Sequence, residues 1–131
     1  MSTTILKLNR GDYFSFNISI EDDTHPTGIY DLQPNDILYF ALMNPHTSFE
    51  DAIILRGYTY NDAVKTVTSS GPIHIFNIEL TREDTIDLKP GVYYYTFKLQ
   101  KNANLISPGL TEPNTNLTTV VERSKFIINE W

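Results

Sequence analysis

The chain has 131 residues, of which 40% are hydrophobic and 20% charged, and this composition indicates one folded domain rather than a disordered segment. Its net charge of −6, with only 10 lysines and arginines, disfavours binding to a nucleic-acid backbone. The absence of cysteine excludes a disulfide framework and a thiolate metal site, so stability must come from packing.

The composition and the distribution of apolar residues also indicate a fold class and a cellular location. Tyrosine and phenylalanine are frequent (8 and 7), which favours strands over helices. The first residues lack the charged region and long apolar run of a signal peptide, and no segment approaches the roughly 20 apolar residues of a membrane span. We therefore expect a mainly β protein that is made in a cytoplasm and does not contact a membrane.

Two strands are predicted in the first half of the chain. From Tyr13 to Ile20 a large apolar residue occupies every second position, which is the pattern of a half-buried strand. The acidic, Pro- and Gly-containing residues 21–36 predict a crossing loop. The segment that follows predicts a central strand, with Leu38, Phe40 and Leu42 on one face and Tyr39 and Ala41 on the other.

The middle of the chain has weaker signals. Residues 51–60 predict a short strand near a sheet edge, interrupted at Gly57. Between Ile73 and Leu80 the alternation slips by one residue near Ile75, and a β-bulge would explain the slip. Residues Thr81 to Asp84 resemble a capping box and predict a single helical turn.

The last third contains the strongest strand after the first. In residues 92–100, Tyr93, Tyr95, Phe97 and Leu99 share one face and are expected in the core, whereas Tyr94 points to the other side. Residues 120–129 form the final predicted strand. The intervening segment, 101–117, is rich in Asn, Thr and Pro and is expected to form a protruding loop that is mobile unless a partner orders it.

These elements predict one all-β domain spanning residues 1–131. About seven to eight short strands without helical crossovers indicate a sandwich or barrel. Pro90 and Gly91 make a tight turn, and Tyr93 follows at the start of a strand, where its hydroxyl can bond back to the preceding loop. This is the pattern of the tyrosine corner of immunoglobulin-like sandwiches, and we therefore predict an immunoglobulin-like antiparallel β-sandwich with at most one short helical turn.

The sequence contains no recognisable catalytic, cofactor-binding or metal-binding constellation. The three histidines, His25, His46 and His74, are scattered. The acidic run 21–23 lacks the alternating ligands of a calcium loop, and the adjacent carboxylates at 83–84 cannot flank a glycosidic bond. We expect a protein that is not an enzyme and needs no cofactor.

Exposed aromatic residues are the remaining candidates for a binding site. Aromatic rings stack on sugar faces and anchor protein interfaces. With Tyr93 and Tyr95 assigned to the core, the candidate interaction residues are Tyr94, Tyr58, Tyr60 and Trp131. Trp131 is equally compatible with a contact to a neighbouring molecule and with packing on its own domain.

The order of these segments resembles a family of small immunoglobulin-like domains in virion proteins of tailed bacteriophages, best known at the N-terminus of the upper baseplate protein. The resemblance runs from about Leu6 to Ile128. The matching residues are Arg10-Gly11-Asp12, Phe14-Ser15-Phe16, Tyr30-Asp31-Leu32, Ile37-Leu38-Tyr39-Phe40, Phe76-Asn77-Ile78-Glu79-Leu80, Leu88-Lys89-Pro90-Gly91-Val92-Tyr93-Tyr94-Tyr95 and Lys125-Phe126-Ile127-Ile128.

The resemblance implies a non-catalytic structural protein of the virion, as a capsid decoration, an adaptor or a tail or baseplate component. Such a protein docks onto other virion proteins through its sheet edges or faces. Baseplate members of the family continue into further domains, whereas this sequence ends shortly after Ile128. That difference favours a capsid decoration, adaptor or joining protein present in many copies, with capsid, neck or tail proteins and copies of itself as partners.

Two other functions stay open at this point. A carbohydrate-binding module for host-surface glycans predicts two or three exposed aromatic rings that converge on one groove. A small barrel enzyme or ligand carrier predicts a deep cavity lined by tyrosines and at least one acid with a perturbed pKa.

Overall fold

The computed structural model describes residues 5–101 and 117–130; Trp131 and the central part of the predicted loop at 101–117 lie outside them. In the described residues, eight strands are joined by one helical turn, α1 (Arg82–Thr85), and two 3-10 turns (Phe49–Asp51 and Tyr60–Asp62). The strands are β1 (Leu6–Asn9), β2 (Phe14–Ile18), β3 (Ile37–Met43), β4 (Ile54–Thr59), β5 (Val64–Thr68), β6 (Gly71–Leu80), β7 (Gly91–Gln100) and β8 (Leu117–Asn129).

The strands form two sheets. One has the order β1-β8-β7-β3-β4 and the other the order β2-β6-β5. Neighbouring described strands are antiparallel except β1 and β8, which are parallel. Because β1, β8, β7, β3 and β4 lie in one sheet and β2, β6 and β5 in the other, the arrangement is that of an all-β sandwich. The predicted fold class is confirmed.

The core lies between the two sheets and is built by the predicted alternation. The rings of Phe16 and Phe97 pack edge to face with centroids 6.0 Å apart, and Phe40 lies 5.2 Å from Phe97. Tyr93 and Tyr95 are buried, as predicted. Edge-to-face contacts of this kind add to the free energy gained by burying the rings.

The predicted tyrosine corner is present at the start of β7. The Tyr93 hydroxyl donates a hydrogen bond of 2.6 Å to the carbonyl oxygen of Lys89. Gly91 has φ 153°, a region that residues with a side chain rarely adopt, so the tight turn before the corner requires glycine at this position. The corner fixes the loop between the two sheets against the strand that follows it.

The predicted cap of α1 is also present. The backbone N–H of Thr81 donates to the Asp84 carboxylate at 2.7 Å, and the two side chains complete a capping box. The two 3-10 turns were not predicted; the second has a capping box of its own, formed by Thr59 and Asp62.

The β-bulge predicted near Ile75 is wrong. The pairings of β6 with β2 and with β5 both run without a register shift. His74, at 3% exposure, occupies an inward position in phase with Phe76 and Ile78, while Ile73 and Ile75 face outward. The apparent slip arises because a polar residue is buried in a regular strand. The register shifts that do occur lie between β7 and β8, on both sides of Phe97.

Candidate interaction surfaces

The structure describes three of the four predicted interaction residues, Tyr94, Tyr58 and Tyr60. The fold places Tyr94 on one side of the five-stranded sheet and the other two on the opposite side. Tyr94 lies in β7 with its side chain on the outer face of the five-stranded sheet. Tyr58, in β4, and Tyr60, in the turn that follows, pack against the core between the sheets. Trp131 lies outside the described residues.

Tyr94 is half-buried rather than exposed, because Arg123 covers its ring. The guanidinium of Arg123 lies 4.8 Å from the ring centroid, a distance typical of a cation–π contact. The same guanidinium donates hydrogen bonds to the carbonyl oxygens of Asn44 (2.9 Å), Pro45 (2.9 Å) and Thr47 (3.0 Å). Arg123 thus ties the loop after β3 onto the sheet.

The loop held by Arg123 covers the outer face of the five-stranded sheet. Its buried residue Phe49 packs edge to face on Tyr39, with ring centroids 6.3 Å apart, and the ammonium of Lys98 lies 4.9 Å from the Phe49 ring. Ile37, Ala41 and Met43 complete this second hydrophobic cluster. Every residue of β3 is therefore buried, because the strand has a core on each face.

Tyr58 and Tyr60 contribute to the rim of the main core. The ring of Tyr58 lies 6.3 Å from that of Phe76, and the ring of Tyr60 lies 5.6 Å from His74. Tyr58 is opposite Leu38 in the register of β4 with β3, and paired residues share a face, so its side chain points inward. Neither ring stands free above the surface.

Arg56 closes the edge of the sandwich at β4. Its guanidinium reaches the other sheet, where it donates a 2.9 Å hydrogen bond to the Glu79 carbonyl oxygen and pairs with the Asp84 carboxylate. Burial alone would raise the pKa of Asp84, but hydrogen bonds from Arg56 and Thr81 outweigh burial and hold that pKa below its ordinary value. Asp84 is thus both the helix cap and the anchor of a cross-sheet ion pair.

The edge at β5 is open by comparison, because β5 pairs with β6 alone among the described strands. Val64 and Val67 are 62% and 75% exposed, the highest values among the large hydrophobic side chains of the described residues. Of the five residues of β5, only Lys65 is charged. Sequence analysis missed this strand, although its four β-branched residues, two valines and two threonines, beside a two-residue turn were a usable signal.

Three clefts of moderate size open on the described surface. An apolar one of about 240 Å³ lies between β2 and the β7–β8 pair and is lined by Leu6, Phe16 and Phe97 among others. A more polar one of about 330 Å³ contains Glu21, Tyr30 and Lys101, and the third, of about 250 Å³, lies beside Phe49 and Arg123. The tyrosines predicted as interaction residues do not line any of the three.

The titratable groups singled out in the sequence have structural roles. Asp22 accepts hydrogen bonds from the hydroxyl and the backbone N–H of Thr24, which lower its pKa and form a solvated turn. His25 bonds to Thr27, and His46 is exposed on the loop after β3. Within residues 5–101 and 117–130, no three acidic or histidine side chains group closely enough to hold a metal ion.

His74 is the one buried imidazole of the described residues. Its Nδ1 accepts a hydrogen bond of 3.3 Å from the backbone N–H of Leu32, and no described group bonds to its Nε2. Burial lowers the pKa of His74, and this effect outweighs the attraction of the Asp31 carboxylate 3.9 Å away. The neutral imidazole therefore joins β6 to the crossing loop.

Comparison with known proteins gives no family for this chain: no protein-family model matches the sequence, and no curated protein matches it significantly. None of the described helical segments has the length and apolar character needed to cross a membrane.

Proposed function

We propose that this chain is a non-catalytic structural protein of a bacteriophage virion, which works by docking onto neighbouring proteins of the capsid, neck or tail. The observation that carries the proposal is the edge strand β5, which pairs with only one other described strand, β6, and carries two exposed valines. Exposed strand edges are sites at which proteins add a strand from a partner.

The positions of the residues that resemble phage immunoglobulin-like domains support the proposal. Phe14 and Phe16 face the core from β2, and Phe126 and Ile128 face it from β8. Pro90 and Gly91 form the turn before the tyrosine corner, where the local backbone needs glycine. The residues that resemble the phage domains therefore determine the sandwich fold. The choice of partner depends on the surface residues instead.

We do not propose carbohydrate binding, because the tyrosines do not form a platform. A sugar-binding site would bring Tyr94 together with Tyr58 or Tyr60 in one groove. Tyr94 lies under Arg123 on the outer face of the five-stranded sheet, whereas the other two pack toward the core.

Mass spectrometry of purified phage particles tests the proposed function. A structural protein is expected at a fixed copy number per particle and in chemical cross-links to a capsid, neck or tail protein. A protein that is abundant in the lysate but absent from washed particles would contradict the proposal, and glycan arrays would then test the carbohydrate-binding alternative.

A further inference from the structure

The exposed edge strand β5 has unusually little protection. Protein sheets commonly protect their edges with charges, prolines, bulges or a covering segment. In β5 the register with β6 is regular, and Lys65 is its only charge. Val64 and Val67 leave most of their side-chain surface in water. A strand of this composition is suited to pairing with another strand.

The register with β6 shows which backbone groups of β5 have no partner within the described three-stranded sheet. Val67 is opposite Pro72, and proline has no N–H, so these two residues cannot exchange the pair of hydrogen bonds of a hydrogen-bonded position. Antiparallel positions alternate, so Lys65, opposite His74, is also at a non-hydrogen-bonded position. The N–H and C=O groups of Lys65 and Val67 therefore point away from β6, toward the open side.

We infer that two copies of this chain pair through β5, antiparallel about a twofold axis at Thr66, and so join their three-stranded sheets into one continuous sheet. In this register the free backbone groups of Lys65 bond to those of Val67 in the second copy, and the reverse bonds form by symmetry. Thr66 meets Thr66 of the second copy at a non-hydrogen-bonded position, and Val64 lies opposite Thr68.

The charge pattern of β5 is what identifies the occupant as a second copy. Each Lys65 lies opposite a valine, whose exposed side chain packs on the lysine stem. Centring the pair on Lys65 instead would put two ammonium groups opposite each other, and centring it on Val67 would run past the end of the strand. A shift by one residue would oppose side chains of different faces. One self-complementary register remains.

This inference goes beyond the proposed function, because β5 can pair in the free protein whether or not the chain is part of a virion. If the protein is found in particles but does not self-associate through β5, the inference fails and the proposed function stands. If the protein self-associates through β5 but is absent from particles, the inference stands and the proposed function fails.

A cysteine at the twofold axis tests the geometry. Because the chain has no cysteine, Thr66→Cys introduces a single thiol. At a non-hydrogen-bonded position the two Cα atoms would be about 4.5 Å apart, within the range that a disulfide spans. The matched control is Ser15→Cys, an exposed position on β2, the other edge of the same sheet. Under a mild oxidant T66C is expected to form a covalent dimer much faster than S15C. Equal rates would overturn the inference.

Charge variants at Val67 test the register in solution. Val67→Glu places a carboxylate opposite Lys65 of the second copy, whereas Val67→Lys places a second ammonium there. Since the pair occurs twice in the dimer, V67E is expected to dimerise on the order of tenfold more tightly than V67K by sedimentation equilibrium. Repulsion between acidic molecules would favour V67K, because V67E adds to the negative net charge. V67K dimerising as tightly as V67E would therefore contradict the pairing.

Discussion

The outer face of the five-stranded sheet is covered by a loop, whereas the edge of the three-stranded sheet at β5 is exposed to solvent. The outer face is covered by the chain itself, through a loop that brings Phe49 onto Tyr39 and is held by Arg123. The edge at β5 is left with two exposed valines. Covering the outer face costs the ordering of a loop, whereas the edge at β5 has no such cover in the described residues. This difference is the reason for proposing the edge as the contact surface.

The largest expected effect is on the covered face. Phe49→Ala removes the ring that shields Tyr39 and should lower the free energy of unfolding by about 3 kcal/mol, because it leaves a cavity and exposes the cluster below. Val67→Ala is the matched control on the open edge and should change the free energy of unfolding by less than about 0.5 kcal/mol. Chemical denaturation of both variants measures the difference. Equal losses would mean that the two surfaces do not differ as described.

A second, smaller effect is expected at Arg123. Arg123→Ala removes three hydrogen bonds to loop carbonyls and the contact with Tyr94, and should cost about 1–2 kcal/mol of stability. Arg123→Lys should recover little of this loss, since an ammonium cannot bond to the separated carbonyls as the planar guanidinium does. Hydrogen exchange should then increase in residues 44–52 and stay unchanged in β6. Full recovery by lysine would show that charge alone holds the loop.

A pH-dependent effect is expected beneath β5, at His74. Because burial lowers its pKa in the folded protein below the ordinary value of 6.5, the unfolded chain takes up the proton first. The stability that depends on neutral His74 is therefore fully present above pH 6.5 and is lost as the pH falls below that value. Thermal unfolding between neutral and mildly acidic pH measures the slope.

Two variants should change the pH dependence of stability in opposite directions if His74 causes it. His74→Phe should flatten the pH dependence of stability, because phenylalanine keeps an aromatic ring beside Tyr60 and does not titrate. Asp31→Asn should steepen it, because the lost carboxylate would no longer favour the imidazolium in the folded state. A wild-type slope that neither variant changes would assign the acid sensitivity to another group.

Sequence patterns predicted the strands that bury large side chains. β2, β3 and β7 each place three or more large apolar residues at alternate positions, so their inward faces were predictable, and the Pro-Gly-x-Tyr pattern predicted the tyrosine corner. β1 and β5 were missed because they are short and bury few side chains. β5 is the first strand of a local hairpin with β6, and its β-branched residues and two-residue turn were the sequence signal that could have located it.

The surface was harder to predict than the core, for identifiable reasons. Tyr58 and Tyr60 were placed near an edge, but the inward direction of Tyr58 depends on the register of β4 with β3. The contact of Arg123 with the loop after β3 joins residues nearly eighty positions apart, next to the irregular pairing of β7 and β8. His74 interrupted the apolar pattern because it is polar, although it is buried.

The central claim is that the open edge of β5 is the contact surface, and hydrogen–deuterium exchange of the segment Val64–Thr68 tests it most directly. The amides of Lys65 and Val67 are expected to exchange rapidly in dilute free protein and to become protected in purified particles or in the dimer, while the buried strand β3 exchanges slowly in every state. Exchange at Lys65 and Val67 that is equally fast in the free and assembled protein would contradict the account.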